Sequence, residues 1–182
     1  GTRKRDADPA RDAALIMELQ ASRKDRAENV MIVDLLRNDL SRVCLPGTVK
    51  VPVLCGLESY ANVHHLVSVV QGDLQPGRNM ADLLAAIFPG GSITGAPKIR
   101  AMEVIAELEQ APRGVYCGAM GYLGSNGHCD FNIAIRTVQV AEGMVRVQGG
   151  GGITAKSQAS AEYEESLTKI ARIMDALGEG AA

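Results

Sequence analysis

Residues 115–148, VYCGAMGYLGSNGHCDFNIAIRTVQVAEGMVRVQ, are the stretch that decides the fold class. Three runs within it have the apolar and β-branched composition of strands, at residues 115–123, 129–140 and 144–148. Turn-forming residues separate these runs, Ser125-Asn126-Gly127 first and Glu142-Gly143 second, at the spacing of β-hairpins. The pattern therefore predicts an antiparallel meander.

Outside the meander, helix and strand signals are mixed. Pro9 is well placed to open a helix, Pro97 is tolerated in a first helical turn, and Gly178 is placed to cap the last helix. Helices are predicted at residues 9–21, 80–88, 96–108 and 159–177, and strands at 28–36, 48–54 and 65–70. The strand at 28–36 is predicted from the β-branched run Val30-Met31-Ile32-Val33. This order indicates the α+β class.

Composition excludes several classes of function. The net charge is −2, aromatic residues make up 3% and Trp is absent, so we expect no nucleic-acid partner. No segment approaches the roughly 20 apolar residues of a membrane helix, and no signal peptide is seen, so we expect a cytoplasmic protein without membrane contact. The four cysteines show no metal-ligand spacing and are expected to be reduced and buried, at positions 44, 55, 117 and 129.

The last predicted helix carries acidic residues in a pattern that suits a metal. Glu162, Glu165 and Lys169 are spaced i, i+3, i+7 and therefore share one face. Two carboxylates one turn apart offer oxygen ligands to Mg²⁺, which needs few protein ligands because it keeps several waters. The alternative is a solvated helix face with a Glu-to-Lys pair. Asp25 and Glu28 are a further acidic pair, which becomes relevant only if the fold brings Glu28 opposite Glu165.

Two glycine-rich runs precede helices and could present backbone N–H groups to an anion. One is Gly149–Gly152, whose residues 150–155 also match the dinucleotide fingerprint by chance, since no βαβ unit follows. The other is residues 89–98, which include Ser92. Tight turns are the alternative for both runs.

Four further side chains are considered for the same site. Arg136 interrupts an apolar strand and must face water or meet a carboxylate. Tyr116 also falls in a predicted strand and could belong to the core. His64 and His65 point to opposite faces of a strand, so one could line a cleft, or both could be structural. Together the candidates describe a site for a small dianion and a divalent cation.

Several motifs resemble those of the chorismate-binding enzymes, a family that includes anthranilate, aminodeoxychorismate, isochorismate and salicylate synthases. They are KDRAEN at 24–29, LRNDL at 36–40, HLVS at 65–68, GAPKIRAM at 95–102, YCG at 116–118, FNIAIRT at 131–137, GGGGI at 149–153 and AEYEE at 161–165. The matches occur in order along the whole chain. Residues 58–66 and 88–98 look more like the aminodeoxychorismate synthases than the anthranilate synthases.

This resemblance implies that residues 1–182 are the C-terminal portion of a single catalytic domain whose N-terminal portion is absent. The implied fold is part of a two-sheet, mainly antiparallel β sandwich flanked by helices. The implied activity is Mg²⁺-dependent amination of chorismate to 4-amino-4-deoxychorismate, with ammonia from a glutamine amidotransferase partner. Anthranilate synthesis and an inactive fragment that needs its N-terminal half are the alternatives.

The resemblance also assigns roles by position. It implies metal ligation by Glu28, Glu165, Glu162 and Asp25. It implies substrate binding by Tyr116, Arg136, Gly150, Gly151 and Gly152. It implies catalytic roles near the leaving ring hydroxyl or the metal for His65, Ser92 and Lys169.

Overall fold

The computed structural model describes residues 1–155 and 157–179. They form a mixed α+β structure with antiparallel sheets, as the sequence predicts. The chain divides into two compact units, the first formed by residues 1–91 and 95–102 and the second by residues 92–94 and those from 103 onward. In chain order the elements are β1 (Thr2–Lys4), α1 (Pro9–Ala21), α2 (Arg23–Ser41), β2 (Lys50–Ser59), β3 (Val63–Gln71), α3 (Met80–Ile87), α4 (Gly91–Thr94), α5 (Lys98–Leu108), β4 (Ala119–Leu123), β5 (Cys129–Ile133), β6 (Val138–Ala141), β7 (Met144–Val147) and α6 (Ala159–Glu179).

The first unit is built on a three-stranded antiparallel sheet with the order β1-β3-β2. Helix α2 packs on β3, where the Asn29 side-chain amide donates to the backbone carbonyl of Leu66 at 3.2 Å. A hydrophobic cluster joins the end of α2 to α3 and is centred on the buried residues Val43, Cys44 and Ala86. Burial of this apolar surface stabilises the unit.

A buried polar network fastens α1 to the sheet. His64, with only 1% of its side chain exposed, lies between Asp12 of α1 and Ser59 of β2. Its Nε2 is 3.0 Å from Asp12 Oδ1 and its Nδ1 is 2.7 Å from Ser59 Oγ. The backbone N–H of Asp6, then His64 and Arg5, bond the Asp12 carboxylate and hold its pKa well below the usual range. His64 is therefore the structural member of the histidine pair.

The second unit contains two separate β-hairpins and the last helix. Strand β4 pairs with β5, and β6 pairs with β7, both antiparallel. Helix α6 contacts β7. The two glycine turns of the sequence lie where the hairpins require them, since Gly127 and Gly143 have φ of 82° and 73°. The connections within each hairpin are thus as predicted.

The predicted strand at residues 28–36 is wrong, because this segment is the middle of helix α2. Burial in α2 recurs at helical spacing, with Val33 and Asp39 buried and Leu36 half-buried between them. Ser22 caps the helix by accepting from the Asp25 backbone N–H at 3.2 Å. Helical periodicity over 19 residues therefore outweighs the preference of a short β-branched run.

The meander prediction is also corrected in detail. The run at 129–140 is interrupted, so β5 and β6 belong to different sheets and Arg136 lies in the bend between them. Tyr116 lies in a turn before β4, not in a strand. Gly178 lies inside α6 and does not cap it. Strand β1 was not predicted, because its three residues become a strand only by pairing with β3.

The prediction for helix α1 is confirmed. Helix α1 has the predicted bounds, and the Asp8 side chain caps it by accepting from the Ala10 N–H at 3.0 Å. Every cysteine is a free thiol, and three of the four are buried. Within the described residues, no helix is long and apolar enough to cross a membrane.

Candidate active site

Helix α6 directs three side chains toward the glycine run. A Cβ added at Gly151 would lie 3.3 Å from Glu162 Oε2, 3.5 Å from Lys169 Nζ and 3.7 Å from Glu165 Oε1. The three side chains therefore share one helix face, as predicted, and this face lies against Gly151. The Glu165–Lys169 pair of the surface-helix alternative is also present, with 2.8 Å between Oε1 and Nζ.

Further hydrogen bonds fix this cluster. Lys169 Nζ donates to the carbonyl of Gly150 at 3.1 Å, which ties the glycine run to the helix. Ser157 Oγ donates to Glu162 Oε1 at 2.5 Å and accepts from the Thr154 N–H at 3.0 Å. The carboxylate of Glu162 is half-buried and held by a neighbouring loop, unlike the side chains of a freely solvated helix face.

Tyr116 reaches the same glycine run from the turn before β4. A Cβ at Gly150 would lie 2.7 Å from the Tyr116 hydroxyl oxygen, which is too close for a non-bonded contact. Any residue larger than glycine at position 150 would therefore displace this hydroxyl. Burial raises the pKa of Tyr116 to about 12, and the nearby Cys117 adds to the shift. The phenol is therefore protonated at neutral pH and available as a hydrogen-bond donor.

Arg136 and Ser92 are both exposed. Arg136 has a φ of 51°, a left-handed conformation that is uncommon for a residue with a side chain and is often found at functional sites. Among the described residues it forms no ion pair, so its guanidinium faces water. Ser92 belongs to the short helix α4.

The predicted site residue His65 and its neighbour in space, Thr2, lie on the sheet of the first unit. Thr2 is paired with His65 in the β1–β3 register, and its hydroxyl oxygen is 2.8 Å from His65 Nδ1. The Tyr60 ring packs edge-on against His65, with 5.7 Å between ring centroids. The contact between Thr2 and His65 was not predicted, because it depends on the pairing of β1 with β3.

The acidic pair of the first unit lies near the start of α2. Glu28 is half-buried and precedes Asn29, whose bond to β3 fixes this turn of the helix. Asp25 is ion-paired with Arg3, with 3.3 Å between Oδ2 and Nη2. Asp25 thus has a protein cation as a partner.

Arg113 is a site-adjacent residue that the sequence prediction missed. It donates to both carboxylate oxygens of Glu109, to the carbonyl of Ile93, and lies over the Tyr116 ring. The i, i+4 spacing from Glu109 was the available signal, but such pairs are common on helix surfaces.

The donor set around Gly151 fits a hard divalent cation. Carboxylate oxygens one helical turn apart are the ligands that Mg²⁺ prefers, and a lysine beside them can hold a ligand anion. Glu162 and Glu165 would hold the ion. Among the described residues, no three His, Cys, Asp or Glu side chains converge as a complete protein cage. A few protein ligands with water and a ligand carboxylate are what a Mg²⁺ site requires.

The second unit therefore brings six predicted site residues together, namely Tyr116, Gly150, Gly151, Glu162, Glu165 and Lys169. Gly152 continues the same run. His65, Glu28 and Asp25 lie in the first unit. A protonated phenol, a lysine and free backbone N–H groups suit a carboxylate ligand, and the two carboxylates suit its counter-cation.

Comparison with known proteins finds a matching family and related sequences. The family model described as chorismate binding enzyme matches residues 1–175. Anthranilate synthase component 1 of Streptomyces coelicolor is 53% identical over 177 residues, which are 97% of this chain and 35% of that protein. Aminodeoxychorismate synthase component 1 of Klebsiella aerogenes is 52% identical over 177 residues, which are 97% of this chain and 39% of that protein.

A solved structure gives the same result for the fold. The crystal structure of anthranilate synthase component I from Streptococcus pneumoniae matches with a TM-score of 0.83 and 43% identity. The match covers 93% of this chain and 38% of that one. The chain therefore spans somewhat more than a third of the length of these relatives. By sequence and by fold, it belongs to the chorismate-binding enzyme family.

Proposed function

We propose that this chain is the C-terminal portion of a Mg²⁺-dependent enzyme that converts chorismate to 4-amino-4-deoxychorismate. The observation that carries the proposal is the convergence of Glu162, Glu165 and Lys169 on Gly151 in a member of this family. The aminodeoxychorismate synthase relative supports the specific product. Glu28 and Asp25 join the proposed metal ligands through the family resemblance alone.

The residues of this chain have distinct roles in the proposed reaction. Tyr116, Arg136 and the N–H groups of residues 150–152 bind the enolpyruvyl and ring carboxylates. Bound Mg²⁺ would supply a Lewis acid for the ring carboxylate. Ammonia forms the new C–N bond as the ring C–O bond breaks.

The leaving hydroxyl departs as water after it accepts a proton, for which His65 and Lys169 are the candidate donors. Ser92 is proposed to contact the same hydroxyl. Since the relatives are named component 1, we propose a second subunit, a glutamine amidotransferase that supplies ammonia in the cytoplasm.

The second candidate is anthranilate synthesis, in which pyruvate is also eliminated to give an aromatic product. The anthranilate synthase component 1 relative, at 53% identity, favours it as strongly as the other relative favours amination. Both candidates use the same carboxylate-binding residues, so the geometry around Gly151 does not distinguish them.

The test is identification of the product by mass spectrometry. The full-length protein that contains this chain is incubated with chorismate, Mg²⁺ and an ammonium salt, beside a Glu165→Ala sample. Aminodeoxychorismate that is lost in the variant supports the proposal. Anthranilate moves the function to the second candidate, and intact chorismate contradicts both candidates.

A further inference from the structure

We propose that Arg113 is a positioning residue that holds Tyr116 and the turn of Ser92 in place for substrate binding. Arg113 lies between α5 and the turn that carries Tyr116, and its side chain is 23% exposed. The inference rests on the proposed function, because it deepens the description of the same site. It assigns a role to a side chain outside the set of proposed substrate and metal contacts.

The guanidinium of Arg113 bonds both to Glu109, which follows α5, and to Ile93 in α4. Its Nε and Nη2 donate to Glu109 Oε2 and Oε1 at 2.8 and 2.6 Å. Its Nη1 donates to the Ile93 carbonyl at 2.9 Å. Because the guanidinium is planar and rigid, the bidentate bond to Glu109 fixes the direction in which Nη1 points. The backbone next to Ser92 is thereby tied to the end of α5.

The same group also contacts Tyr116. The Cζ atom of Arg113 is 6.0 Å from the centroid of the Tyr116 ring, at the limit of a cation–π contact. The hydroxyl at the far end of this ring is the atom that Gly150 accommodates. Arg113 therefore contacts the face of the ring whose hydroxyl lies at Gly150, while Glu109 holds Arg113.

A lysine could not replace this arrangement. Its single ammonium group cannot make the bidentate bond to Glu109, the bond to Ile93 and the contact with the ring together. We expect Arg113→Lys to resemble Arg113→Met. In both variants the KM for chorismate should rise about tenfold, while kcat changes less than threefold, because binding of the substrate carboxylate is lost.

A double-mutant cycle with Tyr116→Phe tests this role in the full-length protein. If Arg113 acts through Tyr116, the KM increases of Arg113→Met and Tyr116→Phe should not multiply in the double variant. Arg146→Met, on an exposed strand residue of the same unit, is the matched control and should leave both kinetic constants unchanged. Increases that multiply fully, or full rescue by lysine, would overturn the proposal.

A second readout separates this proposal from the proposed function. With tyrosine labelled at the ¹³Cζ position, the Tyr116 signal is identified by its loss in Tyr116→Phe. It should shift in Arg113→Met and stay in place in Arg146→Met. If the wild-type protein leaves chorismate intact, the proposed function fails and this signal decides the role of Arg113. An unmoved Tyr116 signal in Arg113→Met would overturn the positioning role.

Discussion

At the scale of single residues, the glycine run brings the backbone close to the polar side chains of the candidate site. A Cβ at Gly150 would lie 2.7 Å from the Tyr116 hydroxyl oxygen and leave this hydroxyl no room, whereas a Cβ at Gly151 would lie 3.3–3.7 Å from three charged side chains, in tight to ordinary contact. Neither glycine has a positive φ, so glycine is needed at position 150 for space and not for backbone conformation. Gly150 is therefore the better position for a test of the site.

Gly150→Ala should reduce activity more than stability. The added methyl group would lie 2.7 Å from the Tyr116 hydroxyl oxygen. The Tyr116 side chain can relieve this contact by moving away from the glycine run, which changes the position of its hydroxyl but costs little stability. We expect the kcat/KM for chorismate to fall at least tenfold, with a small change in Tm. The measurement is steady-state kinetics beside thermal unfolding.

Gly178→Ala is the matched control for that change. Gly178 lies within α6, and an added Cβ there would contact nothing within 4 Å. Alanine should therefore leave the kinetics unchanged and stabilise the helix by up to about 1 kcal/mol. Equal kinetics for Gly150→Ala and wild type would show that Tyr116 needs no space at Gly150.

At the scale of secondary-structure elements, a buried ion pair joins three helices of the first unit. Lys98 at the start of α5 donates to Asp39 of α2 at 2.6 Å and to the carbonyl of Ile87, the last residue of α3, at 3.2 Å. The Asp39 side chain is only 5% exposed. Lys98→Met would leave this carboxylate buried without its cation.

We therefore expect Lys98→Met to destabilise the protein by about 3 kcal/mol. Denaturant unfolding measures the change. The double variant Asp39→Asn with Lys98→Met should recover part of the loss, because the buried charge is then removed. A single variant as stable as wild type would contradict a structural role for this pair.

The network of α1 with the sheet predicts a dependence of stability on pH. The pKa of Asp12 is lower in the folded chain than in the unfolded chain, so the unfolded chain binds more protons in acid. This contribution is fully present above about pH 5 and is lost as the pH falls toward the folded pKa.

Thermal unfolding between pH 3 and pH 7 tests this prediction against Asp12→Asn. The variant should have a lower Tm at pH 7 and a flatter decline of Tm with acid. Parallel curves for the two proteins would mean that Asp12 does not contribute to the acid sensitivity. Asp34→Asn, an exposed carboxylate on α2, is the control and should retain the slope of the wild type.

The elements also show what the sequence could predict. Helix α1 was predicted with its true bounds, because Pro9 marks its start within the chain itself. Helix α2 was not, because the run from Val30 to Val33 favours a strand when it is considered alone. Strand β1 exists only through its partner β3, a long-range contact that no local pattern carries.

In the candidate site, too, some features were predictable from local sequence and others were not. The shared face of Glu162, Glu165 and Lys169 follows from helical spacing and was predicted. The meeting of Tyr116 with Gly150, and of Thr2 with His65, depends on how distant segments fold together. Resemblance to family motifs pointed to most of these residues, but their contacts are seen only in the three-dimensional structure.

At the scale of the whole molecule, the question is whether these residues serve a chorismate site. The chain belongs to the family along nearly its whole length, while it spans 35–39% of the relatives compared above. Activity is therefore best measured on the full-length protein. The metal and the substrate are linked in the proposal, since the ring carboxylate is proposed to bind to Mg²⁺ beside Glu165.

The most direct measurement is calorimetric titration of chorismate into the full-length protein, without ammonium salt, in the presence of Mg²⁺ or of EDTA. We predict binding that requires Mg²⁺, that weakens at least tenfold in Glu165→Ala and that is unchanged in the neighbouring Glu164→Ala. Equal binding of chorismate in EDTA and in Mg²⁺, with Glu165→Ala indistinguishable from wild type, would contradict the proposed site.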